Sequence, residues 1–284
     1  MIDLIPALWA TAFGIAVVGV LGLLIGSFLN VVVYRVPIGA SIVSPPSACP
    51  QCGNAIRPWD NIPVLSWLLL RGKCRDCRNP ISFRYPLVEA ATGVFFAVVG
   101  FWRLPGILSA TTTFDLVASI LELIAFLYLA GVSVALALID LDVKRLPNSI
   151  VLPGYLVGAV LLGAAGVLGG DWSALIRAAI GAAALFVAYL IMAFAYPGGM
   201  GLGDVKLAGV LGLFLGYLGW GALIVGAFSA FLLGGLFALA LVAARRAGRK
   251  SGIPFGPWML AGAWIGILFG NTLWGAYLSL FGIA

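Results

Sequence analysis

The sequence predicts an all-α polytopic membrane protein of about eight transmembrane helices, with a small polar domain inserted after the first. Three observations predict it. Of 284 residues, 63% are hydrophobic and only 9% are charged, where soluble domains carry about 25% charged residues. Apolar runs near twenty residues long recur along the chain, the length that crosses a bilayer. The basic residues are crowded into alternate loops, which is a topology signal.

The candidate spans are 8–33, 86–102, 116–139, 149–169, 174–196, 205–219, 220–244 and 257–281. The sixth is short and glycine-rich, and its boundary with the seventh is the least defined, so a seven-span count is the alternative. The first run lacks a basic n-region and an A-x-A site, so it reads as a retained span. The 38 glycines suit helices that approach closely in lipid. With eight spans, the loops 34–85, 140–148, 197–204 and 245–256 share one side. Counting Lys206 at an edge, they hold fourteen of the sixteen Lys and Arg, and only Arg103 and Arg177 fall elsewhere. Those loops are therefore expected in the cytoplasm, with both termini outside. The net charge of +6 is explained by this topology and calls for no nucleic acid.

Three segments follow: 1–34, a first transmembrane segment; 35–85, a polar, Pro- and Cys-rich cytoplasmic domain; and 86–284, a transmembrane core. No internal repeat or low-complexity tract is read from the sequence. The chain has no histidine, which excludes Ser-His-Asp and Cys-His catalysis and His-ligated metals.

The four cysteines form two pairs, Cys49-Pro-Gln-Cys52 and Cys74-Arg-Asp-Cys77. Two CxxC pairs at this separation fit a four-thiolate zinc site, with Gly53 and Gly72 suited to the tight turns. Such a site has no open position and is structural. It gives a short loop with little core a fixed shape. Two disulfides are the competing reading, opposed by the reducing side of the membrane on which the loop is placed.

Carboxylates at membrane depth ask for a reason. Asp3, Asp60, Asp76, Asp115 and Asp171 lie in tails, loops or span ends and read as solvated. Glu89 and Glu122 lie within the second and third spans, to pair with a base, line a cavity or face a polar interior. Asp140 and Asp142 close the third span, and Asp204 opens the sixth, all at one membrane face. Two carboxylates brought together can share one proton. The ionised member then takes a proton from water while the protonated member polarises a carbonyl. Gly201 and Gly203 beside Asp204 let a substrate backbone approach closely. The plainer alternative is that Asp204 merely caps its helix. The helix dipoles predict Asp204 as the ionised base and Asp140 as its protonated partner. A transporter with cation-binding acids is a further alternative, but such sites lie near the midplane.

Gly201-Leu-Gly-Asp204 resembles the GxGD motif of intramembrane aspartyl proteases, and Asp140 followed by Leu146-Pro-Asn148 resembles the first-aspartate motif of type IV prepilin peptidases. Gly26-Ser-Phe-Leu-Asn30, Pro46-Ser-Ala-Cys-Pro-Gln-Cys52, Asn61-Ile-Pro-Val-Leu-Ser66, the stretch 72–89 and Ile253-Pro-Phe-Gly-Pro257 are similar to the same family, in order. The resemblance implies an endopeptidase of the bacterial inner membrane that removes the basic leader of prepilins and pseudopilins at the cytoplasmic face. It further implies S-adenosylmethionine-dependent N-methylation of the new N-terminus; a family peptidase without that second activity is the alternative. By motif, Asp140 and Asp204 are the catalytic pair, with Asp142 the substitute for Asp140, and Cys49, Cys52, Cys74 and Cys77 are the zinc ligands. No motif places the methyl donor. Expected partners are the pilin substrates and membrane lipid.

Overall fold

A computed structural model of the protein describes residues 4–196, 199–245 and 253–282. Asp3 and three of the fourteen loop cations, Arg246, Arg249 and Lys250, lie outside the described residues. Among the described residues the chain is helical, without strands. The helices are α1 (Leu4–Arg35), α2 (Leu65–Leu69), α3 (Arg84–Leu108), α4 (Thr113–Val143), α5 (Asn148–Leu168), α6 (Trp172–Ala195), α7 (Leu202–Leu218), α8 (Trp220–Ala243) and α9 (Gly256–Ser279). All but α2 correspond to the expected spans. Seven are long and apolar enough to cross a membrane; the eighth, α7, has 17 residues.

The uncertain boundary between the sixth and seventh spans resolves to one residue. Gly219 ends α7 and begins α8 at φ 141°, a conformation open to glycine and almost nothing else. Asn271 stitches this corner from α9: its side-chain amide donates to the Leu218 carbonyl and accepts from the Ala222 N–H, each at 3.1 Å. One orphaned carbonyl and one orphaned N–H of the helix break are thereby satisfied.

The chain divides into two compact units, Met1–Thr112 with Phe126–Ala135, and Thr113–Ala125 with Leu136–Ala284. In the first, α1 packs on α3 through small residues. A Cβ at Gly22 would stand 2.6 Å from the Phe96 Cβ, and one at Gly26 would stand 2.8 Å from the Glu89 Cα, so the close approach depends on glycine. Arg103, one of two basic residues outside the basic loops, lies 4.9 Å from the centre of the Trp102 ring, a cation–π contact that carries the charge past the end of the apolar run.

In the second unit the same device recurs. The backbones of Gly181 on α6 and Gly212 on α7 leave no room for a side chain between them, and Gly262 on α9 meets Ala230 on α8 in the same way. Within it, α7 packs against α5, α6, α8 and α9, and most of its side chains are buried. Glu122 accepts a hydrogen bond from the Tyr217 hydroxyl at 2.6 Å, which supplies a polar partner for a carboxylate within a span. Asp171 caps α6 by accepting the Ala174 N–H at 2.9 Å and lies 3.8 Å from Arg177. Its expected place in a solvated loop holds, with a capping role added.

Candidate active site and candidate metal centre

Asp140 lies in the last turn of α4 with 5% of its surface exposed. Its Oδ2 accepts the Gly256 N–H at 3.0 Å, from the first residue of α9. A Cβ on Gly256 would stand 2.8 Å from that oxygen, so the contact requires glycine. Asp142, two residues on, is exposed, because residues i and i+2 of a helix do not share a face.

Asp204 is half-buried at the third position of α7. Its Oδ2 accepts the Gly201 N–H at 3.1 Å, while its own N–H donates to the Gly201 carbonyl at 3.1 Å. Gly201 is the N-cap and Asp204 the third helical residue, so the acid does not cap its helix as weighed above; it reaches back to the cap residue, which occupies one carboxylate oxygen. The turn fixes the acid at a helix start, as the reciprocal pairing of a capping box does.

The loop between α4 and α5 draws the two aspartates together. Leu146 fits against Gly203, where a Cβ would come within 3.0 Å of its own Cβ, and also against Gly256, where a Cβ would come within 3.2 Å of its Cδ2. One residue thus touches the neighbour of Asp204 and the hydrogen-bond partner of Asp140. Two residues further on, Asn148 accepts a hydrogen bond from the Lys206 Nζ at 3.0 Å, tying the start of α5 to the first turn of α7. The two carboxylates lie within electrostatic reach of each other. Tyr189 of α6, 2% exposed, is in reach of Asp204 as well, and its ring centre is 6.4 Å from that of Phe255.

Helix ends do not divide the labour between the acids as the sequence implied. The dipole argument treated Asp140 as belonging to the carbonyl end of α4 alone. The amide end of α9 also points at it, so each carboxylate accepts an N–H from the start of a helix. Gly256, Leu146 and Tyr189 were not among the candidate site residues. The Pro-Phe-Gly-Pro stretch offered a signal for Gly256 and the Leu146-Pro-Asn148 motif one for Leu146; Tyr189 had none.

In the other unit, the four cysteine sulfurs lie within 4.8 Å of one another, and none is in a disulfide. The Cys49 and Cys77 sulfurs are 3.8 Å apart, nearly twice a disulfide bond length. Cys49 and Cys74 are buried. The backbone amides of Cys52 and Gln51 pull the Cys49 thiol down to about 7, while desolvation and the neighbouring thiols push Cys52 up to about 11, so without an ion the first ionises ahead of the second. The group can hold one metal ion.

The two cysteine turns are copies of one another, offset by 25 residues. Cys49 N–H donates to the Asn54 carbonyl and Cys74 N–H to that of Asn79; Gly53 N–H returns to Cys49 and Arg78 N–H to Cys74; Ile56 reaches Ser47 and Ile81 reaches Gly72. The isolated bridges Ala48–Ala55 and Lys73–Pro80 keep the same offset. The sequence reading found no repeat, although Cys-x-x-Cys-x-Asn-x-Ile occurs twice. Gly53 has φ +73° and its counterpart Arg78 has φ 61°; Gly72, expected at the second turn, precedes it. Asp60 and Arg75 form a two-pronged ion pair, with Nε to Oδ2 at 2.7 Å, and the guanidinium holds the Asp60 carboxyl below the usual range.

Fold and sites together define a class: a polytopic helical membrane protein with a four-cysteine cluster and two converging carboxylates at helix ends. Comparison with known proteins narrows the class. Residues 20–104 match the Bacterial Peptidase A24 N-terminal domain, and residues 127–239 match the Type IV leader peptidase family. The chain is 36% identical to a prepilin leader peptidase/N-methyltransferase of Pseudomonas putida, over 95% of this chain and 96% of that protein. It is 36% identical to the protein of the same name from Neisseria gonorrhoeae, over 93% of each, and 45% identical to that of Myxococcus xanthus, over 69% of this chain and 54% of the other. No solved structure matches it significantly. The chain belongs to the type IV leader peptidase family.

Proposed function

We propose that this protein is a membrane aspartyl endopeptidase that removes the leader of prepilins or pseudopilins and then N-methylates the new terminus with S-adenosylmethionine. The observation that carries the peptidase reading is the convergence of Asp140 and Asp204 around Leu146 and Gly256. In the proposed mechanism the pair holds one proton. The ionised carboxylate removes a proton from the attacking water, and the protonated one donates a hydrogen bond to the scissile carbonyl. The N–H groups of Gly201 and Gly256 each hold one carboxylate oxygen. That support leaves the other oxygen of each acid for water and substrate.

The crowding of Lys and Arg into these loops supports a topology with this site and the cysteine domain on the cytoplasmic side and both termini outside. A prepilin's apolar helix would lie in the bilayer and present its leader junction at that face. In the cysteine domain the ion is zinc. Tetrahedral Zn–S bonds of about 2.3 Å put ligand sulfurs about 3.8 Å apart, and the Cys49–Cys77 separation is 3.8 Å. The ion has four protein ligands and supplies shape, with no open position for chemistry.

Purified full-length protein, incubated with a prepilin and S-adenosylmethionine, is expected to yield a mature chain one methyl group heavier by mass spectrometry. Asp140→Asn and Asp204→Asn should each lower cleavage by on the order of 10²–10⁴-fold with the protein still in the membrane. Asp142→Asn should cleave within about twofold of wild type, since a surface change away from the site has little effect. Full cleavage by either of the first two variants ends the aspartyl mechanism.

A further inference from the structure

Tyrosines packed into the second unit have partners for their hydroxyls: Tyr155 donates to the Lys206 carbonyl at 2.7 Å and Tyr217 to Glu122 at 2.6 Å. Tyr189 of α6 does not. It is more enclosed than either, at 2% exposed, yet among the described residues its hydroxyl makes no hydrogen bond. A buried tyrosine hydroxyl usually finds a partner, and one without calls for an explanation.

The seam between α6 and α7 shows what stands opposite this residue. Gly216 meets the backbone of Arg177, and Gly212 meets that of Gly181. The two helices are antiparallel, so a turn forward along α6 is a turn back along α7. The next pair in this register is Leu185 with Ala208, and both line one small crevice together with Tyr189. The pair after that is Tyr189 with Asp204. The hydroxyl is correspondingly within electrostatic reach of that carboxylate.

The ring is fixed from its other side. Its centre is 5.4 Å from that of Phe231 on α8 and 6.4 Å from that of Phe255, and the centres of Phe231 and Phe255 are 5.4 Å apart. Gly234 of α8 makes room for this cluster, since a Cβ there would stand 2.8 Å from the Phe255 Cε2. Phe255 directly precedes Gly256, whose N–H holds Asp140. Tyr189 therefore rests its ring against the segment that supports one acid and stands beside the other. A tyrosine has few rotatable bonds, so packing its ring also places its hydroxyl.

We propose that Tyr189 is a positioning residue of the peptidase site, its hydroxyl donating to the Asp204 oxygen that Gly201 leaves free. The inference rests on the aspartyl reading above and deepens it. Hydrogen bonds at catalytic sites are often long before substrate arrives and tighten with it. A hydroxyl that donates to an ionised carboxylate makes a charge-assisted bond, stronger than one to a neutral acceptor. Each acid otherwise receives one N–H from the start of a helix, and this further donor breaks the tie between them. Asp204 is then the member that stays ionised and takes the proton from water, and Asp140 the member that holds the shared proton against the scissile carbonyl. A carboxylate oxygen has two lone pairs, so one remains for the water.

The test is steady-state cleavage of a prepilin by purified full-length Tyr189→Phe. The phenyl ring keeps every ring contact, and removing a buried hydroxyl that has no partner costs the fold nothing. A tyrosine that only fills space therefore predicts wild-type kinetics. The expected result is a kcat about 10–100-fold lower, the loss of one hydrogen bond to a charged group, with KM within about twofold and an unchanged thermal midpoint. Cleavage within about twofold of wild type overturns the assignment, as does a loss confined to KM or matched by a lower thermal midpoint. Asp204→Asn, assayed beside it, separates the inference from its premise. Full cleavage by Asp204→Asn overturns the aspartyl reading and the role of Tyr189 with it. An inactive Asp204→Asn beside a fully active Tyr189→Phe overturns the role of Tyr189 alone.

Discussion

The cysteine centre and the aspartate pair are both polar sites built by residues far apart in sequence, and they are held in shape by opposite means. The cysteine domain has little apolar core of its own. Its two turns are short, repeated and closed on each other by four sulfurs within 4.8 Å. The aspartate site has no such clamp. It is assembled from helix ends whose positions are set by glycine seams between long apolar helices. The difference teaches that a site closed by a bound ion would be lost with that ion, whereas one set by helix seams yields to a change in packing.

Stripping the metal should break this contrast most visibly. Apparent binding free energies of structural zinc are about 10–16 kcal/mol, so a chelator should release the turns around Cys49 and Cys74. Amide exchange over residues 44–83 should rise to that of an open chain, while α5 to α9 keep their protection. Equal loss of protection in both regions would show that the bundle, too, depends on the ion.

Gly256→Ala probes the other side. The added methyl would meet the Asp140 Oδ2 at 2.8 Å and the Leu146 Cδ2 at 3.2 Å, displacing the acid by a fraction of an ångström. Misplacement on the scale of 1 Å costs about 10²-fold, so kcat for prepilin cleavage should fall by about 10–100-fold. The thermal midpoint should change little, since alanine suits a helix start at this φ. Unchanged cleavage would mean that Asp140 does not need this support.

The smallest effect separates the two copies of the cysteine turn. Arg78 holds a left-handed conformation that Gly53 adopts without steric cost. Arg78→Gly should stabilise the domain by up to about 1 kcal/mol, and Gly53→Ala should destabilise it by about 1–2 kcal/mol. The readout is denaturant unfolding followed at the domain. Effects of the same sign would show that the turns are not equivalent.

Much of this architecture was legible from the sequence, for identifiable reasons. Span positions follow from apolar length, and α3 to α9 begin and end close to where the runs do. The α7–α8 corner was not legible, because the residue that stabilises it, Asn271, lies far downstream. The spacing of the cysteines was readable, but their doubled backbone pattern was hidden behind four shared residues in each copy. For the acids, the sequence narrowed the choice to Asp140, Asp142 and Asp204. What sets the first two apart is which of them meets the start of α9, 116 residues on from Asp140. The same distance explains why the dipole argument is incomplete: a second helix end enters from α9.

The brevity of α7 has an effect on solvent. Seventeen residues rise about 26 Å, short of the roughly 30 Å of a hydrocarbon layer. A lipid-facing helix makes up such a shortfall by pinching the bilayer, but α7 is enclosed by α5, α6, α8 and α9, and acyl chains cannot close over its end. A shortfall at its Gly201 end would leave a dimple open to water, and hydrolysis there would need no dedicated channel for its second reactant.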